Sequence, residues 1–176
     1  MTENRKLERY FWRFWLGGLA ILAVRIAMNP LFVNDVSPWG IRDHQSAGTA
    51  AHIDAIQSAW QAAGVMDYAR LGMALDIVYI AIYSFGVFCG GRIFSAENRA
   101  SLRWLGRIIM IAASTVAIAD YIETAAQFVQ AIRFEGNDML AGLAARSQPI
   151  KSTAFLTSFF CILIALFVQR QGRRAD

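Results

Sequence analysis

The sequence predicts an all-α fold: an integral membrane four-helix bundle with a short amphipathic helix in its first outer loop. Three observations point there. Of 176 residues, 56% are hydrophobic and 17% charged, and the mean hydropathy is +0.38, whereas a soluble domain usually carries about 25% charged residues. Four apolar runs are spread along the whole chain, and about 20 apolar residues of helix cross a bilayer. Alternating strands joined by Asn-Gly or Asp-Gly turns are missing. Together these exclude disorder, collagen, a water-soluble globule and a soluble enzyme on a single anchor. The chain reads as one domain, 1–176, with spans near 14–29, 71–91, 105–131 and 150–168.

The first span follows Arg5, Lys6, Arg9 and Arg13 and closes at Asn29-Pro30. A basic segment before an apolar run would also suit a cleaved signal peptide; the reading adopted is a retained span. The first outer loop is too long for a simple connection. Within it, Ile53, Ile56, Trp60 and Ala63 recur at helical spacing, with His52, Asp54, Gln57 and Gln61 elsewhere on the circle. A helix near 47–63 follows, capped by Ser46 or Thr49 and ended by Gly64. It lies either on the bilayer surface or across the mouth of the bundle. Trp39 and Trp60 suit the headgroup layer, as do Trp12, Trp15 and Trp104 on the other side. Gly86 and Gly90 form a GxxxG in the second span, followed by Gly91; Ala112, Ala119 and Ala126 recur in the third. Small residues let helix backbones approach in lipid, which here implies internal packing, with a homodimer face as the alternative. Cys89 and Cys161 lie in apolar runs and read as small packing residues.

The net charge is +4, but the basic residues flank the apolar runs and form no stripe with interleaved aromatics, so no nucleic-acid partner is expected. They are unequally shared between the two sides. Arg5, Lys6, Arg9 and Arg13, the second-loop arginines Arg92, Arg99, Arg103 and Arg107, and the tail arginines Arg170, Arg173 and Arg174 lie on one side. Arg42, Arg70, Arg133, Arg146 and Lys151 lie on the other. The richer side is expected to be cytoplasmic. Both termini are then inside a cell membrane, here a bacterial inner membrane, and the odd loops face out.

Ionisable side chains inside a span cost about 2.5–3.5 kcal/mol on insertion scales, so they face the bundle interior and need partners. Arg25 lies late in the first span, Asp76 early in the second, Asp120 and Glu123 late in the third, and Lys151 opens the fourth. Alternating helix direction brings all five to the outer half of the bilayer, while the inner half is nearly all apolar. Asp120 and Glu123 share a face at a step of three; Asp76, Tyr79 and Tyr83 share another; Tyr121 sits beside the carboxylates. Such a cluster either pins the register of four helices or forms an outward-facing polar pocket. In a pocket, Asp76, Asp120 and Glu123 would be the acid/base candidates. Arg25, Tyr79, Tyr83, Tyr121 and Lys151 would be the ligand-binding candidates. Three carboxylates also suit a divalent metal with His44 or His52 folding in, but a loop histidine is usually solvent-exposed and no metal is expected. HExxH, a P-loop, GxSxG and a spaced haem-type histidine set are missing, and no cofactor is named.

Leu75-Asp76 followed by Tyr79 and Tyr83, then Asp120-Tyr121-Ile122-Glu123, then Lys151, resemble a family of small four-helix bacterial membrane proteins. Its pattern runs L-D-x-x-F-P-x-x-Y, D-Y-x-E-N, and a Lys opening the last helix. The resemblance covers roughly Gly64 to Phe155 and departs at Ile80, where the pattern has Pro, and at Thr124, where it has Asn. No activity is assigned to that family. The resemblance implies four helices and the same acids, and no reaction.

The expected function is therefore a small multi-pass membrane protein whose outward-facing polar pocket binds or modifies a lipid-like molecule. A non-enzymatic accessory or assembly subunit, held to a membrane protein partner by its small-residue faces, is the alternative. A proton- or solute-coupled carrier is a third, opposed by the apolar inner half. Whether a reaction is catalysed is left open.

Overall fold

The computed structural model describes the backbone of residues 2–175 and the side chains of residues 4–172. Arg173 and Arg174, counted above on the basic side, lie outside the described side chains. The fold is all-α, with no strand among the described residues. Six helices follow in order: α1 (Thr2–Met28), α2 (Ile41–Ser46), α3 (Ala50–Ala62), α4 (Met66–Ser95), α5 (Ala100–Arg133) and α6 (Asp138–Ala175), with a 3-10 turn over Asn29–Phe32. α1, α4, α5 and α6 are long and apolar enough to cross a membrane, so the chain is a small multi-pass membrane protein living in a lipid bilayer.

These helices outrun the apolar stretches of the sequence because helix continues into polar ends wherever caps permit. α6 starts twelve residues before Ile150, at Asp138, and its first turn is held by Asn137, whose side-chain oxygen accepts from the Leu140 amide at 3.1 Å. An acidic residue in the first turn, such as Asp67 in α4 or Asp138 in α6, also favours the helix N-terminus. Pro149 lies inside α6 and has no amide to donate, so the helix ladder is interrupted there.

The chain divides into two compact units. Unit 1 comprises residues 1–19, 81–117 and 151–176; unit 2 comprises residues 20–80 and 118–150.

Unit 1 is held by aromatics and glycines. Phe11 stacks on Trp15 at 5.3 Å and meets Phe94 edge-on at 6.2 Å. The Gly86 position faces the α1 backbone: a Cβ there would run into the Trp15 amide nitrogen. Gly90 is filled by the Phe11 ring, and Gly91 meets Gly106 backbone to backbone across α4 and α5. The GxxxG thus serves packing within the unit. Trp15, expected at the headgroup layer, is buried, while Trp104 is exposed. Trp15 turns inward because Phe11, one helical turn earlier, stacks on its face. Gly86→Ala is expected to push α1 off α4 and destabilise unit 1 by about 1–3 kcal/mol, the usual cost of overpacking; Gly17→Ala, where a Cβ meets nothing within 4 Å, is its control. Thermal denaturation in detergent compares the two, and equal melting of both variants would contradict the close α1–α4 approach.

Unit 2 contains α2, α3 and the parts of the long helices around them. Its core gathers Phe32, Ile56, Trp60, Met66, Ala69, Met73 and Ala131. α3 starts at Thr49, whose hydroxyl accepts from the His52 amide, and ends at Gly64, which takes the left-handed φ of +72° that a Cβ would disfavour. Its buried face is Ile53, Ile56, Gln57 and Trp60. This face is used against the α4 and α5 residues of the core, so α3 does not lie with it in the headgroups. Trp60, expected at the membrane surface, is fully buried, and its indole N–H reaches the Phe32 carbonyl at 3.0 Å and the Ser37 hydroxyl at 3.1 Å. A buried indole N–H needs such partners. Trp39, by contrast, is exposed.

Two aspartates lock α3 to the α5–α6 turn. Asp138 accepts from the Ala50 amide at 2.7 Å, and Asp54 accepts from the Gly136 amide. Gly136 is required there, since a Cβ would run into the Ala50 backbone.

Candidate functional site

The buried polar residues are distributed very unevenly. Unit 2 holds His44, Gln57, Asp76, Asp120, Glu123, Thr124, Gln127 and Gln130, besides Ser37 and Ser147. Among the described residues of unit 1, the buried polar side-chain groups are the Ser84 and Ser158 hydroxyls, the Tyr83 phenol and the Trp15 indole. Of the residues singled out in the sequence, Arg25, Asp76, Tyr79, Asp120, Tyr121 and Glu123 belong to unit 2; Tyr83 and Lys151 belong to unit 1.

Arg25 reaches from α1 to α4, where its guanidinium donates to the Asp76 carboxylate at 2.6 Å. The same guanidinium lies 5.4 Å from the centre of the Tyr79 ring, one turn further along α4. Asp76 is nearly covered, whereas the Arg25 side chain keeps 29% of its surface accessible. An arginine at this depth cannot lose its charge, so an ion pair and an aromatic face are the arrangement that makes its burial tolerable. The Tyr121 hydroxyl donates to the Ile77 carbonyl at 3.1 Å. That bond joins α4 and α5 beside Asp76 on one helix and Asp120 on the other.

Along α5, Asp120, Glu123, Gln127 and Gln130 follow at steps of three and four and form one buried polar stripe, with Thr124 buried next to Glu123. Gln127 donates its amide to Glu123 Oε1 at 2.9 Å. Gln130 donates to the Ala126 carbonyl and accepts from the Asn137 amide, which ties the stripe to the α5–α6 turn.

The loop brings a further member. His44, on α2, is fully buried, against the expectation that a loop histidine faces water. It stacks on Trp60 with centroids 5.3 Å apart and planes at 22°. Gln57 Nε2 lies 3.4 Å from His44 Nε2. An amide nitrogen only donates, so in this arrangement Nε2 accepts and the ring proton sits on Nδ1. Burial pushes the imidazole down to about 4; the Gln127 side chain beside it opposes that shift, and His52 adds to it. His44 is therefore neutral at pH 7. His52 is exposed.

Gln57, Gln127, Gln130 and Thr124 were not among the candidates drawn from the sequence, and His44 entered there only as a possible metal ligand. The α5 amides were visible as a continuation of the Asp120–Glu123 face at helical steps. Gln57 carried a misleading signal. It was placed on the polar side of α3, yet its position next to Ile56 puts it at the edge of the 53, 56 and 60 face. Among the described residues no group of three or more His, Cys, Asp or Glu is placed to hold a metal.

Tyr83, in unit 1, is buried against Phe155 at 5.1 Å, with its hydroxyl 3.4 Å from Ser158 Oγ. Lys151 is partly buried.

Comparison with known protein families, curated proteins and solved structures gives no match. The short motif resemblance noted in the sequence thus brings no activity to this chain. Its chemistry has to be argued from unit 2 alone.

Proposed function

We propose that this protein sits in a bacterial inner membrane with both termini in the cytoplasm, and that unit 2 binds the polar head of a lipid-like molecule on the outer side. One observation carries the reading: carboxylate, imidazole and amide groups are concentrated and buried in unit 2, while the buried polar groups described in unit 1 are the Tyr83, Ser84 and Ser158 hydroxyls and the Trp15 indole. Burying that many polar groups purely for packing is unfavourable when apolar side chains would do the same. The partly open guanidinium of Arg25 is the natural contact for a phosphate or carboxylate, with the Tyr79 ring behind it. Asp120 and Glu123 are the groups available for acid/base work or for hydrogen bonds to a hydroxylated head.

The alternative of an accessory subunit, held by the GxxxG of α4 and the alanine face of α5, is supported less: Gly86, Gly90 and Gly91 meet α1 and α5, and Ala112, Ala119 and Ala126 are buried. A carrier needs polar groups along its whole route, and unit 1 does not offer them.

Asp120→Asn and Glu123→Gln keep the shape of the side chains and remove the charge. Both are expected to fold as the parent does and to release the co-purified amphiphile, read by native mass spectrometry of protein extracted in mild detergent. A parent chain that carries no bound amphiphile, or variants that keep it fully, would refute the proposal. Loss of folded protein in both would instead assign these carboxylates to fold maintenance.

A further inference from the structure

The site proposed above has a short helix laid against it whose construction has no role in binding the head of a ligand. α2 is six residues long, Ile41–Ser46, and is flanked on both sides by glycines of positive φ: Gly40 at +65° and Gly48 at +74°. The Gly48 side is roomy, with the nearest atom to an added Cβ 3.8 Å away. At the other end Asn29 holds the turn, accepting from the Ile41 amide at 3.1 Å and donating to the Trp39 carbonyl at 3.3 Å. α2 is thus a short segment bounded by two glycine turns, with Ile41 and Ala47 packed against the unit 2 core. Its one fully buried side chain is His44, inserted between Trp60 and Gln57 of α3 and the Gln127 end of the α5 polar stripe.

Burial and His52 work against a second ring proton on His44, and the Gln127 side chain only partly offsets them. The Gln57 amide nitrogen faces Nε2, the atom that would have to become a donor. The titratable neighbour on α3 is His52, whose charge adds to the downward shift of His44. On α5 the nearest carboxylate, Glu123, is screened behind Gln127, whose amide already donates to it. On α2 itself the flanking Asp43 carboxylate is engaged by the Trp39 amide at 2.6 Å, and Arg42 is exposed. The rest of the outer segment is anchored separately, by Asp54 and Asp138 on backbone amides, so α3 can stay in place when α2 leaves.

We infer that α2 is an acid-released flap: protonation of His44 expels it from its slot, and α2 swings about Gly40 and Gly48 to open the Gln127–Glu123 end of the unit 2 stripe to the aqueous side. The step is a simple proton uptake from water by Nε2, with no bond to carbon made or broken. A charged imidazole that is fully exposed regains its hydration, and that hydration is the driving force for opening. The inference rests on the unit 2 site for its meaning, since what the flap covers is the stripe assigned there to a ligand.

The test uses the full-length protein in nanodiscs. Backbone hydrogen exchange over residues 41–47 is followed from pH 7 to pH 4, corrected for the intrinsic pH dependence of exchange, with C2–H exchange of the two imidazoles read in the same samples. Protection of 41–47 is expected to fall at least tenfold relative to α4 and α5, with its midpoint on the His44 titration. In His44→Gln the acid-dependent loss should vanish. Three results would overturn the flap: protection that persists to pH 4, a loss whose midpoint falls where His44 is still neutral, or the same loss in His44→Gln. The second of these needs only the parent chain, so it decides the matter if His44→Gln does not fold. Amphiphile retention at pH 7, with α2 closed, reports on the site itself and separates failure of the site from failure of the flap.

Discussion

Asp76→Leu is expected to lower the unfolding free energy by about 3 kcal/mol, and adding Arg25→Met to the same chain is expected to restore most of it. The single change leaves a guanidinium that cannot deprotonate in an apolar helix, its partner at 2.6 Å removed. The double change replaces both charges with apolar volume, which buried pairs generally tolerate. Tyr79 contributes less, since a cation–π contact at 5.4 Å stabilises by about 0.5–2 kcal/mol and cannot satisfy the N–H donors that Asp76 accepts. Chemical denaturation of the parent, both single variants and the double variant gives the cycle directly. A coupling energy near zero, with the two single effects simply adding, would show that the pair contributes nothing and that Arg25 is accommodated some other way.

The second large effect is on the pH dependence of unit 2. His44 has a folded value of about 4 against an ordinary 6.5. Above pH 6.5 the histidine is neutral in both folded and unfolded chains and stability is complete. As the pH falls below 6.5 the unfolded chain takes up the proton and the folded chain does not, so stability declines until about pH 4, where the folded form titrates too. The total loss is about 3 kcal/mol, from roughly 1.4 kcal/mol per pKa unit. Emission from Trp60, which stacks on His44, follows the change locally, while denaturation at pH 7, 5.5 and 4.5 follows it globally. His44→Gln removes the titration, so this variant should be less stable at pH 7 and flat across that range. An unchanged slope in the variant would place the acid sensitivity on the carboxylates that anchor the outer segment.

Much of the architecture was legible along the chain because membrane insertion is a one-dimensional constraint. A span must be apolar over a bilayer thickness, and that property belongs to consecutive residues. Four such stretches and the break at Asn29-Pro30 were open to reading. Arg25, Asp76, Asp120 and Glu123 stood out by the same logic, as charges where charge is expensive. The polar ends of α5 and α6 escaped it, since helix stability there comes from caps and packing, which hydropathy does not register.

The outer loop divides the two kinds of information most sharply. Its α3 period, the Thr49 cap and the Gly64 stop are local, and local physics was enough for them. The direction its faces would turn was not local. Trp60 and Gln57 carry no mark that says membrane surface or protein interior; α4 and α5 decided it by presenting Met66, Ala69, Met73 and Ala131 as a better partner for that face than headgroups. His44 shows the same dependence. An imidazole in a six-residue helix is unremarkable as sequence, and it became a buried, neutral group only because two glycine turns place it 3.4 Å from Gln57 and flat on Trp60. Solvent class and charge cost are sums over neighbours in the chain, whereas the environment of one side chain is set by residues from four separate helices, and no window on the sequence contains them all.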